Sequence, residues 1–326
     1  MALASPVGAA TPKVLAIHFA PDLEVNPVTQ GWVNHQLSRA SKDGYAAAVI
    51  VLDTPGGLST SMRKIYQKEL ASPIPVIVYV APDGARAGSA GLWISEAADV
   101  LAMAPQTNIG ASTPIDSSGG NLGKDLRKKV VNDAVASVVA LAKSHGRNTT
   151  FPERAVRQAA SIAAPAALEQ HVIDVIAPTL PALLKKLDGY KTKPKGFVPH
   201  LTGAHIDDVH PGFFTRLLNT LIDPNIISLL FLAGLAGIGY EIFHPGVVLP
   251  GALGAVALVT ALFGERPNDR KFPLARDTRA KPTARDKIPN QTRHFLSTPD
   301  ECAVLDRDET EWTSGGRWVP INTLLR

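Results

Sequence analysis

The sequence predicts an α/β domain built on a mostly parallel sheet, followed by a short helical membrane region. Three observations lead there. Apolar runs alternate with helical stretches from about residue 13 to 187, the order of strand–helix–strand units with right-handed crossovers. Two of the runs end in turns of small residues, Asp53-Thr54-Pro55-Gly56-Gly57 and Gly88-Ser89-Ala90-Gly91. Two further runs, 226–243 and 247–263, carry one charged residue between them, Glu241.

In chain order, Val14 to Phe19 is the first strand, and Asn26 caps a helix that starts at Pro27 and runs to about Ser41. Ala46 to Leu52 and Pro75 to Val80 are strands, each followed by a turn and a helix. Val100 to Met103 is a short strand stopped by Pro105, and Asn108 to Gly120 is a loop rich in Gly, Ser, Thr and Pro. Asp125 to about Ser144 is a helix closed by His145-Gly146. Pro152 to Gln158 and Pro165 to Glu169 are short helices, Val172 to Ile176 is the last strand, and Pro181 to Leu187 is a helix. The expected division is a domain over 13–187, a linker over 188–215 rich in Lys, Pro, Gly and His, a membrane region over 216–264, and a polar, disordered tail over 265–326.

Composition narrows the function. The 326 residues are 45% hydrophobic but only 6% aromatic, so the apolar content is mostly Ala, Val, Leu and Ile, as buried sheets and membrane helices prefer. The net charge of +4 is scattered. Without a basic stripe interleaved with aromatics, a nucleic-acid partner is not expected. Cys302 is the single cysteine, which excludes an intrachain disulfide and a cysteine-based metal site. No cofactor is expected. The amino terminus, MALASPVGAATP, lacks the basic and long apolar stretches of a complete signal peptide; the trailing end of one is the alternative.

The two apolar runs are each close to the length of a bilayer span and are separated by a His-Pro-Gly turn. Their glycines suit close helix contact in lipid. Two transmembrane helices or a membrane hairpin are expected, against the alternative of two buried helices in a soluble domain, which would show an amphipathic face. Glu241, beside the turn, is expected to reach an interface rather than to form a site.

The small-residue turns carry the chemistry. Ligand sites of parallel sheets lie at the carboxyl ends of the strands. Ser89 stands there among residues almost bare of side chains, so a substrate carbonyl could approach closely. At a helix N-terminus it would have free N–H groups and the dipole to favour an anion. The N–H groups of Ala90 and Gly57 are natural oxyanion donors, and glycine at 56 and 57 allows the backbone torsions that turn an N–H into a cleft. The competing reading makes Ser89 a plain N-cap and Gly56-Gly57 a tight turn. A base is harder to name. His145 ends a helix and His18 lies on the first strand. Asp53 and Asp83 equally suit turn closure. Lys128 and Lys129 open the helix after the loop, and a buried lysine can serve as a base when neutral. Spacing alone leaves these two undecided, and a solvated head on an exposed turn is the simpler expectation for either.

Taken together, LDTPGG, PVIVYVAPDGARAGSAG, MAPQTNIGASTP, the NDAV helix with SHGRN, PERAVRQAASIAAPAALEQHVIDVIA and YEIFHPGVVLPGALG resemble, in order, the NfeD family of membrane-anchored serine peptidases. The resemblance implies a Clp/crotonase-like domain and a Ser–Lys dyad. The serine falls on Ser89, and the lysine three residues before Asn132 falls on Lys129. Oxyanion donors fall on Gly57 and Ala90. It further implies apolar substrates, notably the C-terminal region of a stomatin-like (SPFH/prohibitin) membrane partner, contact with membrane lipid, and a homodimer. Long family members continue into more membrane helices and a small β-barrel, a pattern not seen in residues 264–326, which suggests a truncated or frame-shifted end. Two spans would put the domain and the Arg-rich tail on one side, cytoplasmic by the positive-inside rule. The family implies an extracytoplasmic domain, and that expectation is preferred. Two rival functions stand beside the peptidase: a non-catalytic membrane scaffold that binds a stomatin-like protein, and an acyl-CoA enzyme of the crotonase type, for which no convincing acid pair is seen.

Overall fold

The structure is a computed structural model that describes residues 11–19, 23–115, 123–244, 248–264, 310–312 and 318–320. The expectation for the amino terminus and most of that for the tail lie outside these residues. In chain order the elements are β1 (Lys13–Phe19), α1 (Pro27–Lys42), β2 (Ala47–Leu52), α2 (Ser59–Leu70), β3 (Val76–Val80), β4 (Arg86–Gly88), α3 (Ala90–Ala97), β5 (Val100–Met103), β6 (Asn108–Gly110) and α4 (Lys124–Ser144). There follow α5 (Thr150–Arg157), β7 (Ser161–Ala163), α6 (Ala164–Glu169), β8 (Val175–Ile176), α7 (Leu180–Lys186), β9 (His205–Val209), α8 (Phe213–Leu221), α9 (Pro224–Phe243), α10 (Val248–Gly264), β10 (Thr310–Trp312) and β11 (Trp318–Pro320).

The predicted α/β domain with a parallel sheet, followed by a helical membrane region, is the observed fold. Six strands pair in the order β8-β5-β3-β2-β1-β9, every pair parallel. Alternation along the strands sends side chains to opposite faces. Leu15, Ile17 and Phe19 of β1 enter one core with residues of α1 to α6. Val14 and Ala16 enter a second core under Leu183, Leu184, Leu187 and Leu201. Helix α1 starts where expected. The Asn26 side chain accepts from the N–H groups of Val28 and Thr29, and the Thr29 hydroxyl accepts from the Asn26 N–H, a reciprocal cap.

Three expectations are corrected. The segment read as a linker contains β9, which pairs with the outer edge of β1, His18 Nε2 meeting Asp208 Oδ1 at 2.6 Å. The domain therefore extends past Leu187. Acids at positions 207 and 208 hid this strand, because an edge strand needs little apolar content. The loop over 108–120 begins with β6, which joins β4 and β7 in a small second sheet. Of the strand expected over 172–176, only β8 is extended; Val172 and Ile173 are buried core residues before it.

Helix α9 contains a run, Asn225–Phe243, long and apolar enough to cross a membrane, with mean hydropathy 2.0, and it is the one such helix among the described residues. It packs against α10 at a glycine contact. A Cβ on Gly234 would lie 2.9 Å from the Gly254 carbonyl oxygen, and a Cβ on Gly254 would lie 2.8 Å from that of Gly234. Glu241 turns toward Gly251 on α10. In the tail, β10 and β11 pair antiparallel.

Candidate active site

The carboxyl ends of β2 and β4 meet at the site. The Thr54 N–H donates to Arg86 O at 2.8 Å, and the Gly88 N–H donates to Thr54 O at 3.0 Å, so the two small-residue turns are tied together. Asp53 Oδ1 accepts from the Arg86 N–H at 3.0 Å, and Asp83 Oδ1 accepts from the Gln106 N–H at 3.0 Å. Both acids are thus turn-closing acceptors.

Gly56 and Gly57 have φ of +129° and +145°, where an L side chain is strained. The buried Thr54 hydroxyl accepts from the Gly56 N–H at 3.2 Å. The segment before α1 holds the other side of the turn. The Val25 N–H donates to Gly56 O, and the Leu58 N–H donates to Val25 O, both at 2.7 Å. A Cβ on Gly57 would strike the Val25 backbone, so this close approach also requires glycine. What remains is the Gly57 N–H, which makes no hydrogen bond among the described residues.

Ser89 stands at the N-cap of α3 with φ +49° and ψ −113°, a backbone conformation rare outside glycine that is worth of order 1–3 kcal/mol of strain. Its side chain makes no cap hydrogen bond. A plain capping role is therefore not what holds it there. The backbone is clamped instead: the Ser89 N–H donates to Gly110 O, and the Ser112 hydroxyl donates to Ser89 O, both at 3.0 Å. The Ala90 N–H, at the first turn of α3, has no hydrogen-bond partner among the described residues. It lies 3.4 Å from where a Cβ of Gly56 would be, and Ser89 Oγ lies 3.0 Å from the same point. Ser89 and Ala90 thus lie directly against the Gly56–Gly57 turn.

Lys129 is placed differently. It lies exposed near the start of α4, as does Lys128, and makes no hydrogen bond or ion pair with another described residue. Three residues on, Asn132 Oδ1 accepts from Arg157 Nη1 at 3.0 Å, tying α4 to α5. The histidines have other roles. His18 pairs with Asp208 and stacks on His210. His145 is buried, its Nδ1 2.8 Å from Leu141 O, and burial lowers its imidazole to about 4.

Three supports were missed in the sequence, the first two being Thr54, which braces the glycine turn, and Ser112, which clamps Ser89. Each lies in a short Ser/Thr-Pro or Thr-Pro stretch whose hydroxyl-to-backbone bonding was the available signal. The third is Arg147. Its guanidinium donates to Glu96 O at 2.9 Å and Ala98 O at 2.8 Å, closing the far end of α3, and pairs with Asp174 at 2.8 Å. It holds in place the helix that presents Ser89 and Ala90.

Residues 16–174 match the N-terminal domain of NfeD1b, and residues 225–268 match the NfeD integral membrane domain. The chain is 34% identical over 247 residues to the membrane-bound protease PH1510 of Pyrococcus horikoshii, covering 74% of this chain and 56% of that protein. The chain thus spans little more than half the length of that relative. Two solved structures are similar. One is a lysine-to-alanine mutant of the 1510-N membrane-bound stomatin-specific protease in complex with a substrate peptide, 31% identical, covering 65% of this chain and 99% of that one, with a TM-score of 0.59. The other is a serine-to-alanine mutant of the same protease, 33% identical, covering 63% of this chain and 100% of that one, with a TM-score of 0.57. The 1510-N protease is specific for a stomatin homolog from Pyrococcus horikoshii. Matched in order by both NfeD domains, and similar along nearly the whole of that protease domain, the chain belongs to the NfeD family.

Proposed function

We propose that the chain is a membrane-anchored serine endopeptidase that cleaves apolar segments of a stomatin-like partner. The observation that carries this reading is the strained, uncapped Ser89 packed against Gly56, with the N–H groups of Ala90 and Gly57 unpartnered among the described residues. In this reading Ser89 Oγ attacks the peptide carbonyl carbon while its proton passes to neutral Lys129. The carbonyl oxygen becomes an oxyanion held by the N–H groups of Gly57 and Ala90. Collapse breaks the C–N bond, the amine leaves with the proton from Lys129, and water, deprotonated by the same lysine, hydrolyses the acyl-enzyme ester. Substrates and activity of the similar 1510-N protease support it.

Lys129 must lose its charge to act. It is exposed here, and a bound substrate segment or a second subunit of the expected homodimer would cover it. The domain is placed outside the cytoplasm in this reading, with α9 crossing the bilayer.

The exposed Lys129 also favours one rival, a scaffold that binds the partner without cutting it. The test uses the full chain in proteoliposomes with peptides from a stomatin-like C-terminal region. Cleavage by the parent, lost by about 10³-fold or more in both Ser89→Ala and Lys129→Ala, supports the dyad. Cleavage that survives Ser89→Ala sinks it, and binding without cleavage by the parent favours the scaffold.

A further inference from the structure

Helix α8 is nine residues long and buries none of them. Its apolar side chains sit at positions 213, 214, 217, 218 and 221, one face of a helix. Phe213 and Phe214 are 74% and 76% exposed, and Leu218 is 51% exposed. Thr215, Arg216, Asn219 and Thr220 form the other face. That polar face has a partner in the sheet domain: Asn26 Nδ2 donates to Asn219 Oδ1 at 2.6 Å. The apolar face has no cover among the described residues, although contiguous apolar surface of this kind marks an interaction site. Only Ile222 and Asp223 separate α8 from α9, whose first residues begin the membrane-crossing run.

The geometry points to α8 as an in-plane interfacial helix that lays Phe213, Phe214, Leu217 and Leu218 into the boundary between lipid headgroups and acyl chains. Two observations select lipid over protein as the occupant. A helix joined to a span by two residues lies at the depth where that span leaves the hydrocarbon. A short helix with an apolar face and an uncharged-to-basic polar face is also the kind that seats there. The bond to Asn26 then couples the bilayer surface to the neighbouring Val25, which forms one wall of the Gly56–Gly57 turn. This last step rests on the peptidase reading of that turn; the seating of α8 does not.

The test reads only the seating. The full chain is reconstituted in phosphatidylcholine nanodiscs on a Cys302→Ser background, which removes the single native thiol. An environment-sensitive fluorophore is attached at Phe214→Cys, Leu217→Cys or Leu218→Cys, and at Arg216→Cys or Thr220→Cys on the other face, with a melting curve run for each. Brominated acyl chains are expected to quench the first three several-fold more than the last two, with blue-shifted emission, and aqueous iodide to do the reverse. Leu217→Cys reads the same face independently if either neighbour fails to fold. Equal iodide quenching on both faces overturns the proposal. So does protection of the apolar face from both quenchers, which would mean that protein, either a second copy or a partner, covers it.

Discussion

The Cβ of Ser89 lies 2.5 Å from the point a Cβ would occupy on Gly56. The two residues are 33 positions apart and belong to different strand–helix units, yet a side chain on Gly56 would collide with that of Ser89. Gly56→Ala adds a methyl group where there is no room and where φ is +129°. It is expected to cost about 2–4 kcal/mol, strain and clash together. Adding Ser89→Gly should recover a large part of that stability, through direct coupling, while leaving any peptidase activity absent. Chemical denaturation of the two single variants and the double variant measures it, and additive losses would refute the contact.

Arg147 is 2% exposed at its side chain and faces Glu96 and Asp174. Removing one partner of a buried charge cluster strands the others, at about 3–5 kcal/mol. Arg147→Met should therefore lower the melting temperature sharply, and should weaken peptide cleavage only as far as it unfolds α3. A loss below 1 kcal/mol on the same about 3–5 kcal/mol scale would remove Arg147 from this role.

Stability should depend on pH through buried groups of opposite sign, Glu96 and His145 among them. Burial raises the Glu96 carboxyl from 4.5 to about 8, against the pull of Arg147. The folded chain then holds a proton that the unfolded chain lacks, so stability falls as pH rises from 4.5 toward about 8. Burial, with Arg147 adding to it, lowers the His145 imidazole from 6.5 to about 4. Here the unfolded chain holds the extra proton, so stability is lost as pH falls from 6.5 toward about 4. The effects oppose each other where the windows overlap, giving a plateau with losses on both sides. Melting temperatures across this range should show Glu96→Gln keeping the acid loss and reducing the alkaline one, to which the buried, upward-shifted Glu69 also contributes. An unchanged alkaline slope would rule out Glu96 as its source.

Gly234 and Gly254 let the α9 and α10 backbones touch. Gly234→Val or Gly254→Val should push the helices apart and cost about 1–3 kcal/mol, read as a lower detergent concentration for unfolding of the membrane region. Tolerance of both substitutions would mean that the pair does not pack this way in lipid.

Much of the fold was legible because the buried strands announce themselves. Runs such as Ala47–Leu52, buried at every position, have no other soluble reading, and Asn26-Pro27 is an unambiguous helix start. The candidate site was legible as far as backbone chemistry reaches: glycines at one turn, and a serine among small residues at the other. The strand His205–Val209 was not, because its partly exposed edge position allows His, Asp and Asp where a buried strand would not. The clamps on Ser89 were not, because Gly110 and Ser112 act through long-range hydrogen bonds that no local period encodes. The base was not, because Lys128 and Lys129 differ only in where α4 directs them, and both are exposed in this structure.

Three residues, His210 to Gly212, join the last strand of the sheet to α8, a leash of roughly 10 Å at full stretch. On the proposed peptidase reading, a domain held so short could not search. It would work at one altitude above the membrane, and a chain would be presented to it only if a susceptible bond came to rest at that height. Selectivity of this kind needs few side-chain contacts in the cleft: two proteins with the same apolar sequence would be told apart by how deeply each is embedded.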